Sequence, residues 1–194
     1  VKKTLLNSKE FKTTKGKDLK MIDVQNPKGT QDVNVEEKIQ INRIIKIITE
    51  VFEKYGFNPL QTTILEKYET LAAKYTGGSE ILKETFKLKD QGKRNLGLRY
   101  DLTVPLARYI AMNPNLKMPF KRYELGQVFR DGPIRLGRYR EFTQLDVDTV
   151  GSNSMLADAE MLAIASEVFS RLDLKVIIRV NNRKILDKIL DAYK

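Results

Sequence analysis

The segments YELGQVFR at residues 123–130 and FTQLDVD at residues 142–148 decide the fold, together with the loop DGPIRLGRYR at residues 131–140 that joins them. Apolar and polar side chains alternate along both segments, which is the two-residue period of a β-strand. The alternation predicts two strands, over residues 121–130 and 141–150. These strands are the starting point for a functional interpretation, because one face of the second is polar.

On that second strand Gln144, Asp146 and Asp148 point the same way, whereas the apolar residues between them point the other way. A row of carboxylates is expensive to bury unless it meets solvent or a cationic ligand. Arg130 shares a face with Glu124 on the first strand, so it lies near the row if the two strands pair as a hairpin. A half-exposed sheet with its polar side in water is the alternative that alternation leaves open.

The connecting loop adds Arg135, Arg138 and Arg140 to Arg130. Arginine binds phosphate oxygens in a bidentate way, and glycine lets the backbone approach a ligand closely. Carboxylates beside an arginine cluster suit a ligand pair of opposite charge, with an ammonium on the acidic side and phosphates on the basic side. RNA binding and surface ion pairs remain alternative uses of such a loop.

Patterns outside this region predict an α+β fold, an antiparallel sheet flanked by helices. The predicted helices cover residues 35–55, 67–75, 102–112, 154–172 and 183–193. The further predicted strands cover residues 57–65, 85–89, 96–100 and 176–180, and a loop is predicted over residues 26–32. Residues 1–25 are interpreted as a basic tail and residues 26–194 as one catalytic-type domain.

The composition excludes several kinds of chemistry. Among 194 residues there is no Cys and no His, and the formal net charge is +10. Disulfides, thiol chemistry, histidine-ligated zinc and histidine-dependent nucleophiles are therefore excluded within this chain. Half of the net charge lies in the first twenty residues, where seven lysines stand against Glu10 and Asp18. We expect no membrane segment, because no apolar run approaches the required length, and a cytoplasmic location.

Several motifs together resemble the histidyl-tRNA synthetase family. They are KGTQD at residues 28–32, LRYDLTVP at 98–105, the whole of residues 123–151, and VNNRKIL at 180–186. The resemblance implies a class II synthetase fold, normally a homodimer, with L-histidine, ATP and tRNA(His) as substrates. It also implies a reaction in which histidine attacks the α-phosphate of ATP and then passes to the terminal ribose of the tRNA.

The resemblance also implies roles for individual residues. Arg130 would bind the α-phosphate and the amino-acid carboxylate as the catalytic arginine, and Arg138 would lie near the phosphates of ATP. Mg²⁺ would bridge those phosphates with no dedicated protein ligand, although Asp146 is a conceivable helper. The histidine-binding set would be Asp101, Thr103, Arg130, Gln144 and Asp148. For Asp101 the alternative is a plain helix N-cap.

Three departures from the family pattern qualify these expectations. Gly132 stands where the family usually has an acidic residue that meets adenine, with Asp131 as a conceivable substitute, and residues 61–64 lack the proline of the first class II motif. The third motif and the anticodon-binding domain would lie beyond Lys194, so we expect an N-terminal catalytic portion that is inactive alone. The alternatives are a synthetase-like regulatory subunit of ATP phosphoribosyltransferase and a noncatalytic RNA-binding or regulatory module.

Overall fold

The computed structural model describes residues 24–73 and 80–192 of the chain. Helices and strands are mixed along it, which confirms the predicted α+β class. The predicted basic tail lies almost entirely outside the described residues. In chain order the elements are α1 (Val35–Lys54), β1 (Asn58–Pro59), β2 (Leu65–Lys67), α2 (Tyr68–Ala73), α3 (Glu80–Lys83), β3 (Lys87–Lys89), β4 (Asn95–Leu98), α4 (Thr103–Met112), β5 (Phe120–Phe129), β6 (Glu141–Val150), α5 (Met155–Arg171) and α6 (Arg183–Ala192).

The first sheet is built on the predicted hairpin. β5 and β6 pair antiparallel over their whole length, with Glu124 opposite Asp146 and Gly126 opposite Gln144. The short β1 lies on the other side of β5 and is parallel to it, so the strand order is β1-β5-β6. The sheet is therefore mixed, whereas the sequence predicted a purely antiparallel one.

The apolar face of this sheet packs against α1 and α5. Buried Val51 and Phe52 of α1 and Ile164 of α5 form a core with Tyr123 of β5. The rings of Phe52 and Tyr123 lie 5.7 Å apart. Because this face is covered by helices, the opposite, polar face of β5 and β6 is the one available to a ligand.

Local signals set the ends of these two helices, which lie close to the bounds that the sequence predicted. The Asn34 side chain accepts a hydrogen bond of 2.8 Å from the Glu37 backbone N–H at the start of α1. Gly56 follows α1 with a φ of +79°, a conformation that glycine adopts without strain. Ser154 caps α5 by accepting from the Leu156 backbone N–H at 3.2 Å.

The second sheet, ordered β2-β4-β3, is antiparallel and contains the predicted hairpin between residues 85–89 and 96–100. It joins the first sheet at Arg99. The Arg99 backbone N–H donates to the Ile64 carbonyl at 2.9 Å, and its carbonyl accepts from the Phe129 N–H at 3.0 Å. The end of β4 is thereby fixed beside the end of β5, where the sequence predicted the functional site.

The strand predicted over residues 57–65 is wrong as a single element. β1 pairs with β5 in the first sheet, and β2 pairs with β4 in the second, so the chain between them crosses from one sheet to the other. The first pairing ends just after Pro59, where the Leu60 N–H donates to the Tyr123 carbonyl at 2.9 Å. Alternation in the sequence could not show that two short strands belong to different sheets.

The strand predicted over residues 176–180 is also wrong, because the structure has no regular element there. Ile177 and Val180 are exposed by 86% and 67%. β-branched side chains favour a strand only where a neighbouring strand supplies hydrogen bonds and packing, and no described strand lies beside this segment.

The remaining predicted helices are confirmed with small changes. α4 starts at Thr103 rather than at residue 102, α5 and α6 are close to their predicted bounds, and α2 lies within the predicted residues 67–75. Residues 74–79 lie outside the description. Among the described helices none combines the length and apolarity needed to cross a membrane.

Candidate functional site

On the polar face of the hairpin the charged β5 side chains are buried, whereas the polar β6 side chains are half-exposed. Arg122 and Glu124 on β5 are 0% exposed, and they lie opposite Asp148 and Asp146 on β6. Charged groups are buried in this way only when they are paired, so this face is an organised charge network. The alternative of a polar side that lies in water is therefore wrong for the β5 half of this face.

Glu124 lies at the bottom of the network and is fully engaged. Its Oε1 accepts hydrogen bonds from the Thr62 N–H at 2.9 Å, from the Thr62 hydroxyl at 2.8 Å and from Arg99 Nη1 at 3.0 Å. Arg99 also donates from Nε to the Gln127 carbonyl at 2.7 Å. These bonds hold the crossing segment, β4 and β5 together beneath the site.

Gly126 provides the space that Arg99 occupies. A Cβ atom at position 126 would lie 2.9 Å from Arg99 Cζ, so only glycine fits beneath the guanidinium. Gln144 lies opposite Gly126, and its Oε1 is buried with no hydrogen-bond partner. A buried amide oxygen without a partner is an available acceptor for a ligand.

Asp148 is held by the buried Arg122. Arg122 Nη2 lies 2.7 Å from Asp148 Oδ2 as an ion pair, without the alignment of a hydrogen bond. The same Nη2 donates to the Leu102 carbonyl at 3.2 Å, which connects β6 to the segment before α4.

Arg130 occupies the end of β5 in a fixed orientation. Its guanidinium carbon lies 4.3 Å from the centre of the Tyr100 ring and 4.8 Å from the centre of the Phe142 ring. Its Nε is buried and has no hydrogen-bond partner. Stacking on the faces of two rings orients the guanidinium and leaves its donor edge for an anionic ligand.

Arg138, the second predicted phosphate ligand, is more exposed and is bound by a carboxylate. Its Nη2 donates to Glu84 Oε1 at 3.0 Å and to Oε2 at 3.1 Å. The Tyr100 hydroxyl donates to the same carboxylate at 3.3 Å, so Tyr100 connects Arg138 with Arg130. Burial is the main cause that raises the pKa of Tyr100, and Glu84 adds to it against the opposing charge of Arg130.

The loop glycine that departs from the family pattern has a structural explanation. A Cβ at Gly132 would lie 2.7 Å from the Glu84 carboxyl carbon, so Glu84 fills the space of a side chain there. Asp131, the substitute considered from the sequence, instead forms an ion pair of 3.2 Å with Arg140. The acidic group next to this position therefore comes from Glu84.

Asp101 caps α4. Its Oδ1 accepts from the Thr103 N–H at 3.1 Å and from the Val104 N–H at 2.9 Å. Asp101 therefore caps the helix with its side chain, although Leu102 occupies the N-cap position. Thr103 itself is exposed. These capping bonds are made by one carboxylate oxygen of Asp101. Its negative charge also acts on the acidic side chains of β6, because Asp101 raises the pKa of Asp146.

The pKa of Asp146 reflects the burial and the charges on the polar face of the hairpin. Burial is the largest cause that raises the pKa of Asp146, followed by the charge of Asp148, while Arg122 opposes both and Asp101 and Glu124 add to the rise. Carboxylates thus outweigh cations at this point. A cationic ligand would relieve the excess.

The structure therefore brings Asp101, Arg130, Gln144 and Asp148 to one region, as the sequence predicted. Thr103 lies at its rim and Arg138 on the adjoining loop. Sequence reasoning assigned no role to four residues that build the site: Arg122, Arg99, Tyr100 and Glu84. Alternation could have found Arg122, because it has the same parity as Glu124 and Arg130, whereas contacts between distant segments carry no local signal.

Solved structures share this arrangement of sheets and helices. Histidyl-tRNA synthetase from Nostoc sp. PCC 7120 superimposes with a TM-score of 0.74 at 35% identity, over 86% of this chain and 39% of that chain. A Bacillus halodurans protein described as an ATP phosphoribosyltransferase regulatory subunit/histidyl-tRNA synthetase gives a TM-score of 0.67 at 29% identity, over 76% of this chain and 38% of its own. The fold is that of the class II aminoacyl-tRNA synthetases.

Sequence comparison defines the family more narrowly. The profile of the histidyl-tRNA synthetase family matches residues 29–194. The chain belongs to the histidyl-tRNA synthetase family. It is 54% identical over 172 residues to histidine–tRNA ligase 1 of Bacillus cereus (strain ATCC 14579), and 41% identical over 167 residues to histidine–tRNA ligase of Helicobacter pylori (strain ATCC 700392 / 26695). These matches cover 89% and 85% of this chain, which spans 40% and 37% of the length of those relatives.

Proposed function

We propose that this chain supplies part of the catalytic core of a histidine–tRNA ligase, which activates L-histidine with ATP and transfers it to tRNA(His). One observation carries the proposal. Arg130 is stacked between two aromatic rings with a buried, unpartnered Nε, on the same sheet face as Gln144 and Asp148. An oriented cation beside an acidic row matches a substrate pair of phosphate and amino acid.

In the first step, Asp101 and Asp148 receive the ammonium of histidine, with Gln144 as a hydrogen-bonding neighbour. A carboxylate oxygen of histidine attacks the α-phosphorus of ATP, and a new O–P bond forms. The bond to the β-phosphate breaks, and pyrophosphate leaves with the electron pair. Arg130 binds the α-phosphate and the attacking carboxylate, and it stabilises the negative charge that grows in the transition state.

In the second step, a hydroxyl of the terminal ribose of the tRNA attacks the acyl carbon and an ester bond forms. The bond from the acyl carbon to the phosphate oxygen breaks, AMP leaves with the electron pair, and the hydroxyl proton passes to the departing phosphate. The chain has no histidine, and this chemistry needs none, because orientation and charge stabilisation contribute most of the acceleration. Arginines and carboxylates supply both in this site.

Mg²⁺ belongs to the proposal only as a companion of ATP. The described residues contain no group of three or more acidic side chains that could hold a metal ion. We therefore assign Mg²⁺ to the ATP phosphates, since this ion commonly binds through substrate phosphates and water.

A homodimer and a cytoplasmic location complete the proposal. Four apolar side chains in the first half of α1 are exposed in the isolated chain: Val35, Ile39, Ile41 and Ile44. Exposed apolar residues grouped on one element suit a protein interface. Sedimentation of the full-length protein at micromolar concentration tests the dimer.

Histidine-dependent exchange of labelled pyrophosphate into ATP by the full-length protein tests the activity. We expect Arg130→Ala to lower the exchange rate by about 10²-fold or more, because an oriented donor to developing charge is lost. Arg94→Ala, in the exposed turn between β3 and β4, is the matched control and should stay near the parent rate. A near-normal rate for Arg130→Ala contradicts the phosphate assignment.

Calorimetry with histidine tests the acidic side of the site separately. Gln144→Ala and Asp148→Ala should each weaken binding if the pocket receives histidine. Unchanged binding in both variants contradicts these two residue assignments, whereas no histidine binding by the parent protein would favour a noncatalytic RNA-binding module that retains the fold and the basic surface.

A regulatory subunit of ATP phosphoribosyltransferase is the second candidate, because the Bacillus halodurans protein carries both descriptions. That role would use a histidine pocket without tRNA charging. Aminoacylation of tRNA(His) by the full-length protein distinguishes the two, and its absence together with retained histidine binding would favour the regulator.

A further inference from the structure

Arg122 is the most deeply buried cation near the site, and no role follows for it from the proposed reaction. Its side chain is 0% exposed and lies between two carboxylates, with Nη2 at 2.7 Å from Asp148 Oδ2 and Nη1 at 3.5 Å from Glu124 Oε2. A guanidinium in such surroundings requires close countercharges, because its desolvation is expensive.

Glu124 and Asp148 do not contribute equally to neutralising the charge of Arg122. Glu124 is already bound through Oε1 by Thr62 and Arg99, and its contact with Arg122 is long. The short contact is with Asp148. Arg122 is thus neutralised chiefly by a residue that also faces the proposed histidine site.

The orientation of Asp148 follows from this pairing. Its Oδ2 is buried against Arg122, yet the side chain as a whole is 33% exposed. The exposed part is therefore the Oδ1 side. Arg122 thus holds one oxygen of Asp148 and leaves the rest of the carboxylate accessible to a ligand.

Arg122 also holds the segment before α4. Nη2 donates to the Leu102 carbonyl at 3.2 Å, and Leu102 lies between Asp101 and Thr103 in the chain. One guanidinium thus fixes both the end of β6 and the segment before α4. These two elements carry the carboxylates assigned to the substrate ammonium.

We propose that Arg122 is a positioning residue for recognition of the amino-acid ammonium, which acts by fixing Asp148 and the Leu102 backbone on either side of the pocket. The inference rests on the proposed function, since it deepens the assignment of the histidine site. If the Arg122–Asp148 ion pair only stabilised the fold, its loss would affect the binding of histidine and of ATP alike. Arg122 as a positioning residue affects histidine and leaves ATP untouched, because its contacts do not include Arg130 or the arginine loop.

The test compares Arg122→Lys and Arg122→Gln in the full-length protein by pyrophosphate exchange, with histidine and ATP varied separately. Lysine keeps the positive charge but cannot contact both Asp148 and the Leu102 carbonyl. Glutamine keeps hydrogen-bond donors and loses the charge. We expect the KM for histidine to rise about ten- to hundred-fold, more for glutamine than for lysine, and the KM for ATP to change less than about two-fold. Arg108→Lys is the matched control, a partly buried arginine paired with Glu66 at 2.8 Å, and should change neither KM.

A double-mutant cycle with Asp148→Asn tests whether Arg122 acts through Asp148. The combined variant should be little worse for histidine than Asp148→Asn alone, because the two residues act as one unit. In this cycle, additive losses overturn the proposal. In the KM comparison, it is overturned by an unchanged KM for histidine or by an equal rise in the KM values for histidine and ATP. Failure of both Arg122 variants to fold overturns it as well. Absence of exchange by the parent protein would instead overturn the proposed function itself, and this inference with it.

Discussion

At the residue scale, the absence of a side chain at Gly126 allows the Arg99 guanidinium to lie on the polar face of β5. A Cβ at Gly126 would lie 2.9 Å from Arg99 Cζ and 3.1 Å from Leu102 Cδ2, and Arg99 and Leu102 are both buried. We expect Gly126→Ala to lower the free energy of unfolding by about 1–3 kcal/mol, the usual effect of overpacking a core. Urea denaturation of parent and variant measures the difference.

Gly92→Ala is the matched control for this substitution. Position 92 lies in the exposed turn between β3 and β4, where the nearest atom to an added Cβ is 3.4 Å away. The change should stay within about 0.5 kcal/mol, as is usual for surface positions. Equal effects at both glycines would show that Arg99 does not need the space above β5.

Asp146 makes the stability of the protein depend on pH in an unusual direction. Burial and the neighbouring Asp148 raise the pKa of Asp146. A group with a raised pKa contributes its full stability below its unfolded pKa and loses that contribution as the pH rises through the folded value. Ionised Asp146 therefore destabilises the fold at neutral pH. We expect Asp146→Asn to raise the Tm at pH 7, with a gain that shrinks as the pH falls toward 4.

Asp90→Asn provides the control of opposite sign. Hydrogen bonds from the Arg94 backbone and side chain lower the pKa of Asp90, so its contribution is present at neutral pH and is lost as the pH falls through the lowered value. This substitution should lower the Tm at pH 7. A gain for Asp146→Asn that grows on acidification would contradict the assigned charge balance.

At the element scale, α1 is attached to the first sheet by one end only. Phe52 near its C-terminus is 5% exposed and packs on Tyr123, whereas Ile44 in the preceding half is 45% exposed. We expect Phe52→Ala to lower the free energy of unfolding of this chain by about 3–5 kcal/mol, because a large buried ring is removed. Denaturation of the same chain with Ile44→Ala should show less than about 1 kcal/mol. Similar losses would place the first half of α1 in the core as well.

Elements with complete local signals were predictable, and those that depend on distant partners were not. The β5–β6 hairpin and α1 carry their own alternation, periodicity and caps, so the polar face and its residues Gln144 and Asp148 followed from the sequence. Residues 57–65 failed because two strands in different sheets share one alternating pattern. Residues 176–180 failed because propensity does not supply a pairing partner. In the site, the Arg122–Asp148 and Glu84–Arg138 contacts join segments far apart in the chain, and no local pattern encodes them.

At the scale of the whole molecule, the site has one closed side and one open side. The bottom is closed by the buried pairs of Arg99, Arg122 and Glu124, and the start of α4 forms one wall. On the other side β6 is an edge strand among the described residues, and apolar Leu174, Ile177 and Val180 after α5 are exposed. An edge strand and exposed apolar residues both suit contact with further protein structure, and the relatives are more than twice as long as the matched part.

The open side of the site predicts that this chain binds histidine without activating it. Asp148 is held by Arg122 and Asp101 by the start of α4, so the purified 194-residue chain should bind histidine weakly in calorimetry. Stabilising the charge on ATP requires donors in a site that excludes water, and the open side of this chain admits it. We expect the chain to give no histidine-dependent exchange of labelled pyrophosphate, whereas the full-length protein does. The same chain with Arg130→Ala controls for enzyme carried over from the expression host. Exchange by the parent chain that disappears in this control would show that these residues alone complete the activation site.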